Sequence, residues 1–81
     1  MSRYDKDGMT LRERDIYNYI IQFKTINGIS PSTYDISKAL ITSRSFVRRC
    51  LYNLEQKGFI RYASDKTRRN IIVIKLPQQT A

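Results

Sequence analysis

Arginines crowd the beginning of one helix-like segment in this sequence. From Ser43 to Tyr62 the chain reads SRSFVRRCLYNLEQKGFIRY, which has the spacing of an amphipathic helix followed by a glycine and a strand. Arg44, Arg48 and Arg49 occupy the first turns of that helix, and like charges so close together repel slightly. Guanidinium groups form paired hydrogen bonds with phosphates and base edges, so a polyanion outside the chain would offset the repulsion.

The same helix has an apolar and a polar face. At 3.6 residues per turn, Val47, Leu51 and Leu54 share one stripe, with Cys50 at its edge. A helix of this kind fits the major groove of DNA, where residues near its N-terminus reach base edges. An ordinary solvated helix is the alternative, and the arginines alone do not decide between the two. The face opposite the stripe carries Ser45, Arg48, Arg49, Tyr52 and Gln56.

Charge elsewhere in the chain favours the first interpretation. The 81 residues include 15 Lys and Arg against 7 Asp and Glu, a formal net charge of +8. Eight of the cations and only two of the anions lie between residues 41 and 70, so the excess coincides with the arginine-rich helix and the segment after it. Such a surplus favours a nucleic acid as partner and, less often, a membrane surface.

The composition excludes several kinds of site. There is no His and a single Cys, Cys50, so His-based catalysis, a structural zinc site and an intrachain disulfide are all excluded. We expect no enzyme, no metal and no cofactor, because paired carboxylates and a Gly-rich phosphate loop are also absent. No apolar run approaches the ~20 residues of a membrane span, and the polar start MSRYDKDG is not a signal peptide. We expect a cytoplasmic protein in which Cys50 is a small core residue.

Local signals predict the first helix over about 11–27. Thr10 and Glu13 have the spacing of a capping box, and Gly28 suits a left-handed C-cap. The apolar positions of this helix are Ile16, Ile20, Phe23 and Ile26.

A second and a third helix follow closely. Ser32 is the expected N-cap of helix two, which ends near Leu40 and whose apolar face is Ile36, Ala39 and Leu40. Thr42 or Ser43 caps helix three, which runs to about residue 57 before a terminating glycine. Two helices separated by so short a turn are typical of a helix-turn-helix.

The remaining segments predict a hairpin. FIRYA alternates apolar and polar residues, NIIVIKL is a β-branched run, and about six polar residues separate them. Residues 29–30 are extended enough to add a third strand. We therefore predict a mainly α protein with a small β-hairpin (α+β), a winged helix-turn-helix with three helices plus a two- or three-stranded antiparallel sheet. The domain covers 10–76, between flexible segments 1–9 and 77–81.

The sequence resembles a known family over Met9 to about Leu76. DISKALITSRSFVRRCLYNLEQKGFIR resembles the winged-helix pattern of bacterial repressors, an I-x-x-x-L helix, a turn and S-x-x-x-V-x-R-x-L-x-x-L-E-x-K-G-x-I. Upstream, MTLRERDIYNYIIQFKTINGISPSTYDIS is similar to the N-terminal DNA-binding domain of LexA repressors, with L-T-x-R-Q-x-x-x-L-x-F-I and N-G-x-x-P-S-x-x-E-I. The residues that match the first pattern are Ile36, Leu40, Ser43, Val47, Arg49, Leu51, Leu54, Glu55, Lys57, Gly58 and Ile60.

The sequence departs from that family in three ways. The turn before helix three is one residue shorter, and Phe46 stands where winged-helix repressors often carry Thr or Ser. The self-cleaving dimerisation domain of LexA has no counterpart in these 81 residues, so we do not expect its autoproteolysis here. The base preferences of the family do not transfer either.

The resemblance implies where DNA would lie. Helix three, about 43–57, would occupy the major groove, and the start of helix two would touch backbone phosphate. The basic hairpin tip, 64–69, would be the wing on the backbone or in the minor groove, with a solubilising turn as the alternative. The DNA-binding residues predicted in this way are Ser32, Thr33, Tyr34, Ser43, Arg44, Ser45, Arg48, Arg49, Tyr52, Lys66, Thr67, Arg68 and Arg69, with Arg61 a weaker candidate.

Two further residues of helix one have alternative interpretations. Tyr17 and Ile21 lie roughly 100–140° away from the stripe of Ile16 and Ile20 on a helical projection. They either widen the buried face or form an exposed patch for a second subunit or another protein.

The sequence thus predicts a sequence-specific double-stranded DNA-binding transcription regulator, repressor-like, from a bacterium or a bacteriophage. The alternative is a winged-helix adaptor that binds a host regulator or another acidic protein. We expect a weak homodimer, or a monomer that dimerises on DNA, with a host protein as the alternative user of the Tyr17 and Ile21 patch.

Overall fold

The computed structural model describes residues 8–63 and 71–74, which form three helices and a two-stranded antiparallel sheet. The predicted winged-helix plan is confirmed. In chain order the elements are α1 (Leu11–Asn27), α2 (Thr33–Ala39), α3 (Arg44–Gln56), β1 (Ile60–Tyr62) and β2 (Ile71–Val73).

Each helix begins at a side-chain cap that the local sequence supplies. At α1 the Glu13 amide donates to Thr10 Oγ1 at 3.2 Å, and the Thr10 amide donates to Glu13 Oε1 at 3.1 Å. Ser32 and Asp35 form the same reciprocal pair at α2. At α3 the cap is Ser43, one of the two residues predicted. These hydrogen bonds satisfy amides that have no partner within a helix, which explains why the helices start where they do.

Turns with a left-handed backbone include those at Gly28, Ile41 and Gly58. Gly28 ends α1 with φ of 78° and donates its N–H to Lys24 O at 2.8 Å, as predicted for a glycine C-cap. Between α2 and α3 the residue with positive φ is Ile41, at 53°, and its side chain is 88% exposed. A β-branched residue is strained in this region, and here no burial compensates for the strain.

The core forms around α3, which packs against α1, α2 and β1. Val47, Leu51 and Leu54 are buried as one stripe with Cys50 beside them, as the helical spacing predicts. The buried apolar residues of the described chain are Met9, Ile16, Tyr17, Ile20, Ile36, Val47, Cys50, Leu51, Leu54, Phe59, Ile60 and Ile71.

Three predictions about burial are wrong. Ile26 is 73% exposed. Helical spacing gives the direction in which a side chain points, but it does not ensure that another element covers that position. On α2, Ala39 is exposed while Ser37 is buried. Met9, assigned to a flexible segment, is fully buried in the core. The expected flexible tail 77–81 and residues 1–7 lie outside the described residues.

Of the two alternatives for the sheet, the described part of the chain has the two-stranded one, and residues 29–30 do not add a third strand. Instead, Ser30 Oγ accepts the N–H of Ile71 at 2.9 Å and donates to the Ile71 carbonyl at 3.3 Å. Lys24 Nζ donates to the same carbonyl at 2.5 Å. In the sheet, Ile71 pairs with Tyr62 on β1. The side chains of Ser30 and Lys24 bond the Ile71 N–H and carbonyl, the groups that a strand on the other side of β2 would otherwise bond.

Candidate nucleic-acid interface

The outer face of α3 is polar and exposed to solvent. Ser45, Arg48 and Arg49 are exposed, and Tyr52 is 60% exposed, while the opposite stripe of the helix is buried. The buried stripe fixes the rotation of α3 about its own axis. The arginines are consequently held on the solvent side by the packing of the core rather than by contacts of their own.

The N-terminus of α3 carries a second group of side chains. Ser43 Oγ accepts the amide N–H of Phe46 at 3.1 Å, which leaves the hydroxyl proton available for donation. The guanidinium carbon of Arg44 lies 5.9 Å from the centroid of the Tyr34 ring, and Lys38 Nζ lies 5.4 Å from the same centroid. Sequence reasoning did not include Lys38, although its position four residues after Tyr34 on a helix was a usable signal.

A shallow groove of about 540 Å³ runs beside the arginine face. Its walls come from the start of α2, from α3 and from the sheet, so three separate elements meet there. Its lining includes one cation, Arg48, and one carboxylate, Glu55, and the carboxylate disfavours a phosphate next to it. Residues that line the groove include Ser32, Thr33, Arg48, Tyr52, Glu55 and Tyr62.

Two of the three residues predicted to contact the DNA backbone, Ser32 and Thr33, line this groove together with α3. Ser32 Oγ accepts the Asp35 amide at 3.0 Å, so its hydroxyl can still donate outward. Thr33 is half-buried and Tyr34 is 54% exposed. The fold therefore brings Ser32 and Thr33 to one groove with Arg48 and Tyr52. The predicted wing residues Lys66, Thr67, Arg68 and Arg69 lie outside the described residues.

Tyr17 and Ile21, for which the sequence left a wider buried face and an exposed patch as alternatives, differ in burial. Tyr17 is 5% exposed, its hydroxyl donates to the Ile74 carbonyl at 3.1 Å, and its ring meets Phe59 edge-on at 5.9 Å between centroids. Phe59 and Ile74, which flank the sheet, thus cover a position that the α1 stripe alone left open, which agrees with the alternative that Tyr17 widens the buried face. Ile21 is 39% exposed.

One buried charge joins α1 to the end of α3. Glu13, 3% exposed, accepts hydrogen bonds from Lys57 Nζ at 2.6 Å and from Asn53 Nδ2 at 3.2 Å. Burial alone raises the pKa of Glu13, but the hydrogen bonds from Lys57 and the Thr10 amide outweigh it, and the pKa is lowered overall. Lys57 Nζ also donates to the Gly8 carbonyl at 2.8 Å, so the same ammonium holds the segment before α1.

The described residues offer little support for a reactive cysteine, a metal site or a membrane-spanning helix. Cys50 is buried, and burial raises the pKa of its thiol, which disfavours the reactive thiolate. Within 8–63 and 71–74 no three His, Cys, Asp or Glu side chains are grouped as they would be to hold a metal ion. The helices of the described chain are too short or too polar to cross a membrane.

The chain is similar to known proteins over most of its length. The family model described as the LexA DNA binding domain matches residues 6–69. A LexA repressor of Staphylococcus aureus strain Mu3 is 41% identical over 61 residues, which cover 74% of this chain and 30% of that protein. A LexA repressor of Herpetosiphon aurantiacus is 46% identical over 55 residues, which cover 67% of this chain and 26% of that protein. The chain spans less than a third of the length of these relatives.

Proposed function

This chain belongs to the LexA DNA-binding domain family, and from that membership we propose that it is a sequence-specific double-stranded DNA-binding regulator of transcription. The observation that carries the proposal is the exposed arginine face of α3, which the buried stripe on the other side of the helix holds in one orientation. The protein would act by binding in the cytoplasm of a bacterium, or of a bacterium infected by the phage that encodes it. Catalysis has no part in the proposal.

In the proposed complex α3 lies in the major groove. Arg48 and Arg49 reach base edges or flanking phosphates, and a guanine offers O6 and N7 to a bidentate arginine. The hydroxyls of Ser32 and Thr33 donate to backbone phosphate, because α2 crosses the backbone when α3 enters the groove. Glu55, farther along α3, disfavours a phosphate at its own position and can accept a hydrogen bond from cytosine N4.

Repression follows from occupation of a site. A protein that fills the major groove with α3 excludes other proteins from the same base pairs, and this requires no second activity. The adaptor alternative places an acidic protein on the same arginine face, but no feature of the described residues favours it over DNA.

Selection of bound sequences from a random duplex library tests the proposal. We expect one enriched motif, and an affinity for it that falls steeply with salt because each phosphate contact releases counterions. Enrichment of no motif, together with saturable binding to an acidic protein, would contradict the proposal and favour the adaptor.

A further inference from the structure

We infer that Tyr34 is a positioning residue, which holds Arg44 and Lys38 as a pair of cations for one phosphate of the DNA backbone. The inference rests on the proposed function and names a part of the interface that the family resemblance does not distinguish. It also assigns Tyr34 a role through its ring, whereas the sequence prediction treats it as a direct phosphate contact.

Tyr34 stands between two cations of different elements. Lys38 follows it by one turn on α2, and Arg44 is the first residue of α3. Their charged groups lie 5.4 Å and 5.9 Å from the centre of the Tyr34 ring, within the range of a cation–π interaction. The ring is thus the group that joins these two side chains across the turn of the helix-turn-helix.

Two like charges near one exposed ring favour a phosphate as the group that binds them. The ring attracts both cations, while the two cations repel each other weakly through water. All three side chains are exposed. A phosphate shared by the two cations removes the repulsion, and it gains from side chains whose freedom is already restricted before binding.

The position of the ring indicates which part of the DNA is involved. Tyr34 belongs to α2, the helix that crosses the backbone in a helix-turn-helix complex, whereas base edges are read from α3. A guanidinium drawn toward α2 is drawn toward the backbone. Arg44 therefore anchors the start of α3 on a phosphate, and Arg48, one turn farther along, is left to read bases.

Replacement of Tyr34 by Leu and by Phe separates the ring from the hydroxyl. Tyr34→Leu should weaken binding on the selected site and on random duplex by the same factor, about two- to fivefold for each cation–π interaction removed. The slope of log K against log salt should fall by about one unit. Tyr34→Phe keeps the ring, so it should restore most of the affinity and the slope. Thermal unfolding of both variants checks that this exposed position leaves the fold unchanged.

A double variant tests whether Tyr34 acts through Arg44. In an Arg44→Ala background, Tyr34→Leu should cost less affinity than it does in the wild type. The inference is overturned if Phe behaves like Leu, if the two losses simply multiply, or if Tyr34→Leu changes base preference. If the wild type binds DNA and Tyr34→Leu binds it equally well, this inference alone is wrong. If the wild type binds no duplex, the proposed function is wrong as well.

Discussion

Lys57 Nζ lies 2.6 Å from Glu13 Oε1, so the C-cap of α3 is bonded to the capping box of α1. Glu13 is nearly inaccessible, whereas the Lys57 side chain is 31% exposed. One carboxylate therefore fixes both the start of α1 and the far end of the helix that would enter DNA.

Glu13→Gln should lower the free energy of unfolding at pH 7 by about 1–3 kcal/mol, the usual contribution of hydrogen bonds to a charged group. The pKa of Glu13 is lowered in the folded state, so this stabilisation is complete above the unfolded-state pKa of ~4.3 and is lost as pH falls through the folded-state pKa. Urea unfolding of both proteins between pH 7 and pH 3 should show the difference shrinking. Asp15→Asn is the matched control, because Asp15 pairs with Arg12 only at the exposed surface; a difference independent of pH would exclude this role for the Glu13 charge.

Arg48→Ala should reduce affinity for the selected site by ~1–3 kcal/mol and relax specificity at one base pair if Arg48 reads a base. Arg48→Lys is the informative control, because it keeps the charge but loses the bidentate geometry. The lysine variant should then bind random duplex as the wild type does and still lose preference for the selected site. Equal losses on every sequence would instead make Arg48 a phosphate contact. The same pair of variants applies to Arg49.

The basic hairpin tip remains a prediction, since it lies outside the described residues. Replacement of Lys66, Arg68 and Arg69 together by Ala should flatten the dependence of log K on log salt by about one unit for each phosphate that these side chains neutralise. Circular dichroism and thermal unfolding serve as the check that the fold persists. An unchanged slope would mean that the wing is a passive turn.

Assembly is expected to be weak. A single small module buries only ~600–1,000 Å² of protein surface on DNA, which is usually too little for tight specific binding. Many such proteins therefore bind as dimers to two symmetric half-sites. With Tyr17 buried, Ile21 is what remains exposed of the predicted patch. Sedimentation of the free protein at high micromolar concentration, and of the DNA complex, should show dimers that Ile21→Glu weakens. Gln22→Glu, at an exposed position about 100° farther round α1, should leave them unchanged. One chain per duplex throughout would refute the dimer.

Replacement of Ile41 should stabilise the protein. The backbone of Ile41 is left-handed and its side chain is 88% exposed, so Asn, which tolerates this conformation, removes strain without exposing the core. We expect Ile41→Asn to raise the free energy of unfolding by about 1 kcal/mol, measured by urea denaturation. Ile26→Asn changes another apolar, exposed side chain within α1 and should give no gain. Equal effects at both positions would mean that removing an exposed apolar side chain, and not relief of backbone strain, accounts for the change.

Local signals predict the helices well because caps act over three residues. Thr10 with Glu13, and Ser32 with Asp35, carry their own partners within the same turn, so their roles are visible in the sequence. Tyr17 is ambiguous in the sequence for the opposite reason. Its partner, the Ile74 carbonyl, lies 57 residues away, and only the folded sheet shows that this side of α1 is covered.

The arginine face of the candidate site is predictable from the sequence, but the approach of two cations to the Tyr34 ring is not. Helical spacing alone separates Arg48 and Arg49 from Val47 and Leu51. The distance from Arg44 to Tyr34 depends on the angle between α2 and α3, which the strained turn at Ile41 sets and no periodicity encodes.

The hydroxyl of Ser30 also has a consequence for how the sheet meets other chains. An edge strand with unpaired N–H and C=O groups is a template for another strand, and so for aggregation. At Ile71 both groups are occupied, the N–H by Ser30 and the carbonyl by Ser30 and Lys24. A side chain cannot continue the backbone hydrogen-bond ladder of a sheet. At Ile71, Ser30 therefore prevents a strand from another chain from pairing with β2.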